Sequence, residues 1–273
     1  MISFEDVAYE YDSGTRALSG ATVEFHSSEV TAIVGPNGSG KSTLAKLMTG
    51  LLMPTAGRIL IDEVDTRYTS PRLIRSLVGL AWQNPDNQLV CGVVEDDIAF
   101  GPENLGLRVH EIHRRVDEVT DRLQLESIRA SSVRSLSSAQ KQLVAVAGAM
   151  AIEPRYLVLD EVTSRLDPGA AHMLLEAVTG WARDHDAGVV MITHLMSEVL
   201  RAHKVCRLEQ QPDNGGRIAR TGAPDEVLRD EKLAEGVSLK TPLYDTVYRL
   251  DQLGVRLPEL PETVDDLVDL LCR

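Results

Sequence analysis

The chain has 273 residues, 43% hydrophobic and 25% charged, with a formal net charge of −13. Those proportions suit a soluble globular protein with a full core, and the acidic balance with no basic patch argues against a nucleic-acid partner. The longest strongly apolar run, residues 143–152, is far too short to span a bilayer. Residues 1–5, without a basic start or an apolar stretch, do not read as a secretory leader, and Cys91, Cys206 and Cys272 are too few and too scattered for a disulfide framework or a zinc site.

In chain order, residues 2–12, 16–26 and 29–34 read as strands, separated by the turn signals Asp12-Ser-Gly and Ser27-Ser28. Directly after the third strand come Gly35, Pro36, Asn37, Gly38, Ser39, Gly40, Lys41, Ser42 and Thr43. They fit G-x-x-x-x-G-K-[ST] between a strand and a helix expected over 41–51, the context this pattern requires. Its glycines let the backbone curl so that successive N–H groups converge on phosphate oxygens, and the helix start adds its positive dipole end. Lys41 supplies a mobile positive charge for the β- and γ-phosphates, and the Ser42 hydroxyl suits Mg²⁺. The pattern predicts binding of a nucleoside triphosphate.

Met53-Pro54 ends that helix; residues 57–62 read as a strand and 71–77 as a short helix. The apolar run Val78-Gly-Leu-Ala-Trp82 leads to Gln83 at a strand-to-loop junction. Between 107 and 124, Val109, Ile112, Val116, Val119 and Leu123 recur at the spacing of one helix face, and 140–151 read as a second helix. Residues 156–160 and 189–193 are apolar runs, each closed by a polar residue, with a long helix expected over about 167–185 between them. They read as buried parallel strands whose carboxyl ends present chemistry. Asp160 at such an end suits Mg²⁺ held through its water shell, and Glu161 suits the orientation or deprotonation of an attacking water; taken alone, the pair is as readily a helix cap. His194 follows the second run, one strand-helix-strand unit beyond Asp160 and so expected beside it; taken alone it reads as a surface or capping residue, and with the phosphate loop as a group that reaches the γ-phosphate. The nucleotide-binding part is expected to finish near 230, and 231–273, broken at Pro242, Pro258 and Pro261, to form a small helical appendix.

In order and spacing, residues 35–43, Gln83, Leu136-Ser-Ser-Ala-Gln140, Leu157-Val-Leu-Asp-Glu161, Ser164-Arg-Leu-Asp167 and His194 resemble an ABC-type ATPase subunit. The resemblance implies an α/β fold: a P-loop NTPase of the ABC ATPase type with an antiparallel β-subdomain, a helical subdomain at about 84–150 and a small C-terminal helical extension. It divides the chain into an ATP-binding domain, 1–230, and an extension, 231–273. It makes Tyr11 the aromatic that stacks on adenine, Gln83 the sensor of Mg²⁺ and of the membrane partner, Asp160 the metal-side aspartate, Glu161 the catalytic base and His194 the switch histidine. Ser42, Gln83 and Asp160 would hold Mg²⁺, and Ser164 to Asp167 would form the loop that crosses a dimer interface.

Two further segments, Trp82-Gln-Asn-Pro-Asp-Asn-Gln88 and Val94-Glu-Asp-Asp-Ile-Ala-Phe-Gly-Pro-Glu-Asn104, are similar to the ATPases of energy-coupling factor transporters, importers of vitamins or transition-metal ions. The tail, with Thr241-Pro-Leu, Leu253-Gly-Val-Arg-Leu-Pro258 and Thr263-Val-Asp-Asp-Leu-Val268, is similar to the extension through which those ATPases dimerise. The implied protein binds ATP and Mg²⁺ and couples hydrolysis to transport from the cytoplasmic face of the membrane, as a peripheral subunit. Its partners would be a second ATPase subunit, a transmembrane coupling subunit and a substrate-binding membrane subunit, with no nucleic acid. A soluble ABC ATPase of DNA repair or translation shares the core motifs but would bring coiled-coil insertions, a second cassette or basic surfaces. A nucleotide-dependent dimerisation subunit with little turnover is the other alternative.

One departure stands out. The family signature Leu-Ser-Gly-Gly-Gln reads here as Leu136, Ser137, Ser138, Ala139 and Gln140. Ser137 and Gln140 keep the hydroxyl and the helix start, but both glycines are gone, and a Cβ restricts φ where backbone must approach a γ-phosphate. Losing one such contact costs about 1–3 kcal/mol, roughly ten- to a hundredfold in rate. The expectation is an asymmetric pair with a partner of intact signature, or harmless variation in a pair with itself.

Overall fold

The computed structural model describes residues 1–211, 215–228 and 264–272, together with positions 243, 246, 247, 249, 250, 253–255, 257 and 261. Ten strands form one sheet: β1 (Ile2–Glu10), β2 (Arg16–Phe25), β3 (Val30–Val34), β4 (Ala56–Ile61), β5 (Val64–Asp65), β6 (Val78–Ala81), β7 (Tyr156–Asp160), β8 (Gly188–Ile192), β9 (Lys204–Gln211) and β10 (Gly215–Gly222). Their spatial order is β5-β4-β1-β2-β10-β9-β3-β8-β7-β6. From β9 to β6 every pairing is parallel, whereas β5, β4, β1 and β2 pair antiparallel, as do β9 and β10. Among the described residues the two parts meet in the sheet through the Gly216–Leu18 bridge, itself parallel, and share one hydrophobic core.

The parallel strands read as unbroken apolar runs because both faces are covered. In β7, Leu157 and Leu159 enter one hydrophobic core while Tyr156 and Val158 enter the other; in β8, Val189 and Met191 divide from Val190 and Ile192 in the same way. Each such side chain stabilises the fold by about 1.5–3 kcal/mol. The long helix α6 (Pro168–Asp184), capped by the Asp167 carboxylate, buries Leu174, Val178 and Trp181 on the first core.

That same core receives the helical subdomain: α3 (Val94–Asn104), α4 (Val109–Arg122) and α5 (Ser138–Ala151). The expected face of α4 forms from Val116 and Val119, joined by Leu123 at its end, but Val109 in the first turn is 70% exposed. The helix after the glycine-rich loop, α1 (Lys41–Met48), is shorter than expected because Gly50 turns into the left-handed region at φ 66°. The short helix α2 (Pro71–Leu77) matches its sequence reading, whereas α3 and the β9–β10 hairpin were not read as elements. Most of 231–273, including Pro242 and Pro258, lies outside the described residues. Within that segment a final helix, Val264–Leu271, packs Leu267 with Val247 and Leu257 in a small separate core.

Candidate active site

Parallel pairing sets the carboxyl ends of β3, β6, β7 and β8 side by side, and each end runs into a polar segment. β3 leads into the glycine-rich loop, β6 reaches Gln83 two residues beyond its end, β7 ends at Asp160 with Glu161 next, and β8 is followed by Thr193 and His194. Ligands of open α/β sheets bind at such a row of strand ends. Hydrogen bonds fix their levels: Glu161 N–H donates to Ile192 O at 3.0 Å and Thr193 N–H to Ile33 O at 3.2 Å.

The loop can wrap tightly only with glycine. Gly40 sits at φ 90°, and a Cβ there would lie 2.6 Å from the Ala17 carbonyl. The β9–β10 hairpin braces the loop from behind, with a Cβ on Gly35 falling 2.5 Å from Leu208 O and one on Gly216 only 1.9 Å from Ser39 O. Sequence reasoning missed Gly216, although the Gly215-Gly216 pair was the available signal for a close backbone approach. Lys41 Nζ donates to Gly35 O at 2.9 Å and Pro36 O at 3.0 Å, so the ammonium lies within the loop. Burial pulls the Lys41 pKa below its ordinary value, partly opposed by the negative charges of Glu161 and Asp160.

Asp160 is buried, and burial pushes its pKa up, opposed chiefly by a hydrogen bond from Ser42. Among the described residues its Oδ1 has no hydrogen-bond partner, and neither does the buried Ser39 hydroxyl. An orphaned carboxylate oxygen beside a serine hydroxyl is the donor set that a hard divalent cation takes. Glu161, at φ 50°, holds a backbone conformation uncommon outside glycine, and its carboxylate is gripped from two sides. Gln83 Nε2 donates to Oε2 at 2.6 Å, and His194 Nε2 meets Oε1 at 2.7 Å. The tautomer with its proton on Nε2 makes His194 the donor in that pair.

Tyr11 stands at the rim: its hydroxyl lies 3.0 Å from Thr43 Oγ1 and its ring meets Tyr9 edge-on at 4.9 Å. In the segment 164–167, Ser164, Arg165 and Asp167 are exposed, and the Ser164 hydroxyl donates to Glu161 O at 2.7 Å. Lys41, Ser42, Asp160, Glu161, Gln83 and His194 are thus brought together. Ser137 and Gln140 instead bond to one another as a capping box at the start of α5, at 3.0 and 3.2 Å. Gln88 and Gln142, absent from the sequence reading as functional positions, both hydrogen-bond to the backbone of Trp82, next to Gln83.

A glycine-rich phosphate loop between strand and helix, with the acidic pair after β7 gripped by a glutamine and a histidine just past the ends of the strands on either side of it, defines an ATP-hydrolysing cassette of the ABC type. The ABC transporter family model matches residues 18–164. The energy-coupling factor transporter ATP-binding protein EcfA1 of Symbiobacterium thermophilum is 42% identical over 94% of this chain and 88% of its own length. EcfA of Syntrophomonas wolfei is 38% identical over 100% of this chain and 99% of its own. The solved cbiO1 of Clostridium perfringens, part of the ABC transporter complex cbiONQ, is 32% identical with a TM-score of 0.74, covering 93% of this chain and 96% of that one. The chain belongs to the energy-coupling factor transporter ATP-binding (EcfA) family, whose members hydrolyse ATP to energise uptake through membrane partners. No helix among the described residues is long and apolar enough to cross a membrane.

Proposed function

We propose that Glu161 is the general base of ATP hydrolysis in this chain, and the observation carrying this reading is its carboxylate held between Gln83 and His194 beside Asp160 and Lys41. Residues 35–43 cradle the phosphates through backbone N–H groups, Lys41 turns from the loop carbonyls to the β- and γ-phosphates, and Tyr11 stacks on adenine. Ser42 and Asp160, with Gln83, hold Mg²⁺, which when bound neutralises charge on the transferred phosphoryl group. Glu161 orients and deprotonates the attacking water for an in-line displacement, and His194 fixes the carboxylate and reads the γ-phosphate.

The full assembly pairs two cassettes, each signature segment completing the other's nucleotide site. Ser137 at the start of α5 keeps a hydroxyl and a helix N-terminus for that purpose, and the Ser138-Ala139 pair favours a paralogous partner with an intact signature over a second copy of this chain. Domain limits of 1–230 and 231–273 accord with this, the tail serving as a dimerisation element. On its final helix Val264, Val268 and Leu271 are 64%, 50% and 47% exposed at helical spacing, an apolar stripe suited to a like helix. The subunit works at the cytoplasmic face as a peripheral protein. Val90 and Phe100, exposed on the segment after Gln83 and on α3, supply apolar contact for a transmembrane coupling subunit, while a separate membrane subunit binds the vitamin or transition-metal ion.

The test is Glu161→Gln, which preserves shape and removes the base. Turnover of Mg-ATP is expected to fall roughly a hundred- to ten-thousandfold with ATP affinity retained. A variant that hydrolyses at the parental rate would overturn the assignment.

A further inference from the structure

Gln83 stands on a segment with little support of its own. β6 is the outermost strand of the parallel half and stops at Ala81, so beyond it no ladder holds the chain that carries Gln83. Two glutamine amides take the place of a ladder. Gln142 on α5 donates from Nε2 to Trp82 O at 3.0 Å. Gln88 accepts from Trp82 N–H at 3.0 Å and donates to Ala145 O, also on α5, at 2.7 Å. Both backbone groups of the residue preceding Gln83 are therefore tied to one helix, at positions 142 and 145, which share a face. Lys46 of α1 lies over the Trp82 ring, 5.6 Å from its centroid, linking the same residue to the helix that follows the phosphate loop.

Gln142 is fully buried and its Oε1 has no hydrogen-bond partner among the described residues. A buried amide with one unmet oxygen is a costly way to fill space that a methionine would fill without penalty. The Lys141–Asp86 pair at 2.7 Å also joins α5 to this segment, but Asp86 is 56% exposed and such a contact contributes little.

We propose that Gln142 and Gln88 are positioning residues for hydrolysis: they carry the position of α5, the helix that begins at Ser137, through Trp82 to Gln83 and so to the Glu161 carboxylate. This rests on the reading of Glu161 as the base and names how the signature end sets its geometry. A shift of α5 when Ser137 engages a nucleotide moves the Trp82 carbonyl and amide with it, because both are bonded to that helix. Gln83 Nε2, 2.6 Å from Glu161 Oε2, then moves against the carboxylate.

The experiment measures kcat and KM for Mg-ATP, fluorescent-nucleotide affinity and thermal melting for the full-length chain and for Gln142→Met, Gln88→Met, Gln83→Ala and the Gln83→Ala/Gln142→Met double variant. Expected for each Met variant is a kcat lowered roughly tenfold or more, with nucleotide affinity within about twofold. Adding Gln142→Met to Gln83→Ala should cost nothing further, since both act on one path. Should Gln83→Ala be slow while both Met variants turn over at the parental rate, even with lowered melting temperatures, the glutamines are merely structural and the proposal fails alone. Additive losses in the double variant overturn it equally. A Gln83→Ala chain with parental kcat removes the Gln83–Glu161 reading itself, and this inference with it. If Gln142→Met does not fold, Gln88→Met decides, because Gln88 is only partly buried.

Discussion

At the strand ends, side chains from four segments of the chain meet within hydrogen-bond distance, and Glu161 alone is held by partners 78 and 33 residues away. At the start of α5 the situation is the reverse: the Ser137 and Gln140 side chains each accept from the other's backbone N–H, three residues apart, and Ser138 beside them is exposed. The first region is finished inside one chain, set on strands whose residues are buried on both faces. The second is a helix end closed by its own capping box, with Ser138 exposed beside it. In the proposed pairing of cassettes, hydrolytic machinery assembled by one chain is gated by a contact supplied by the other.

The sharpest way to break this comparison is to disable the finished region while sparing the other. Lys41→Met removes the ammonium that lies within the loop, and nucleotide affinity should fall roughly ten- to a hundredfold, as expected for a lost charged hydrogen bond of about 1.5–3 kcal/mol. The melting temperature without nucleotide should hold or rise, since burial already disfavours the charged form of Lys41. Equal affinity in the variant, read by titration calorimetry, would show that the loop backbone suffices.

A smaller effect is expected at the unfinished region. Restoring the glycines, Ser138→Gly with Ala139→Gly, should raise ATP turnover of the paired cassettes by up to about tenfold and leave the isolated chain's nucleotide affinity unchanged. The rise should come from the nucleotide site of the partner, so blocking that site by a Lys→Met change in its own loop should abolish it. An unchanged rate with each site blocked in turn would mean that serine and alanine serve as well as glycine, and that the pair is symmetric.

The same contrast governs what the sequence could reveal. Residues 35–43 were legible because they must carry their chemistry in consecutive positions, and the parallel strands because two covered faces demand unbroken apolar runs. The β9–β10 hairpin was not: Lys204–Gln211 reads KVCRLEQQ, without an apolar run or clean alternation, and Arg207 is buried in its middle. Its role depends on Gly216 lying against Ser39, a contact between residues 177 apart that no local pattern encodes. Gln88 and Gln142 escaped for a related reason. A glutamine in a polar loop or on a helix looks like a solvated surface, and only the end of β6 at the sheet edge makes a backbone amide and carbonyl there need partners. Val109 shows the converse, a periodic apolar residue that the first turn of α4 leaves in solvent.

The smallest effect near neutral pH concerns the finished region's rigidity. Cys206 on β9 pairs with Ile33 behind the phosphate loop, is fully buried, and burial pushes its thiol up to about 12 from an ordinary 9.0. Its folded-state pKa is raised, so the associated stability is whole below pH 9 and is lost as the pH climbs toward 12, where the unfolded chain releases a proton that the folded chain retains. One such group steepens the alkaline decline by at most about 1.4 kcal/mol per pH unit. Cys206→Ala should flatten denaturant-measured stability over that window by up to this slope while changing little at pH 7. Alkylation at pH 8 should label the exposed Cys272 readily and Cys206 only on the timescale of unfolding. Labelling of Cys206 as fast as Cys272 would mean that the sheet behind the loop opens in the native state, and the distinction between a rigid catalytic end and an unfinished signature end would lose its physical basis.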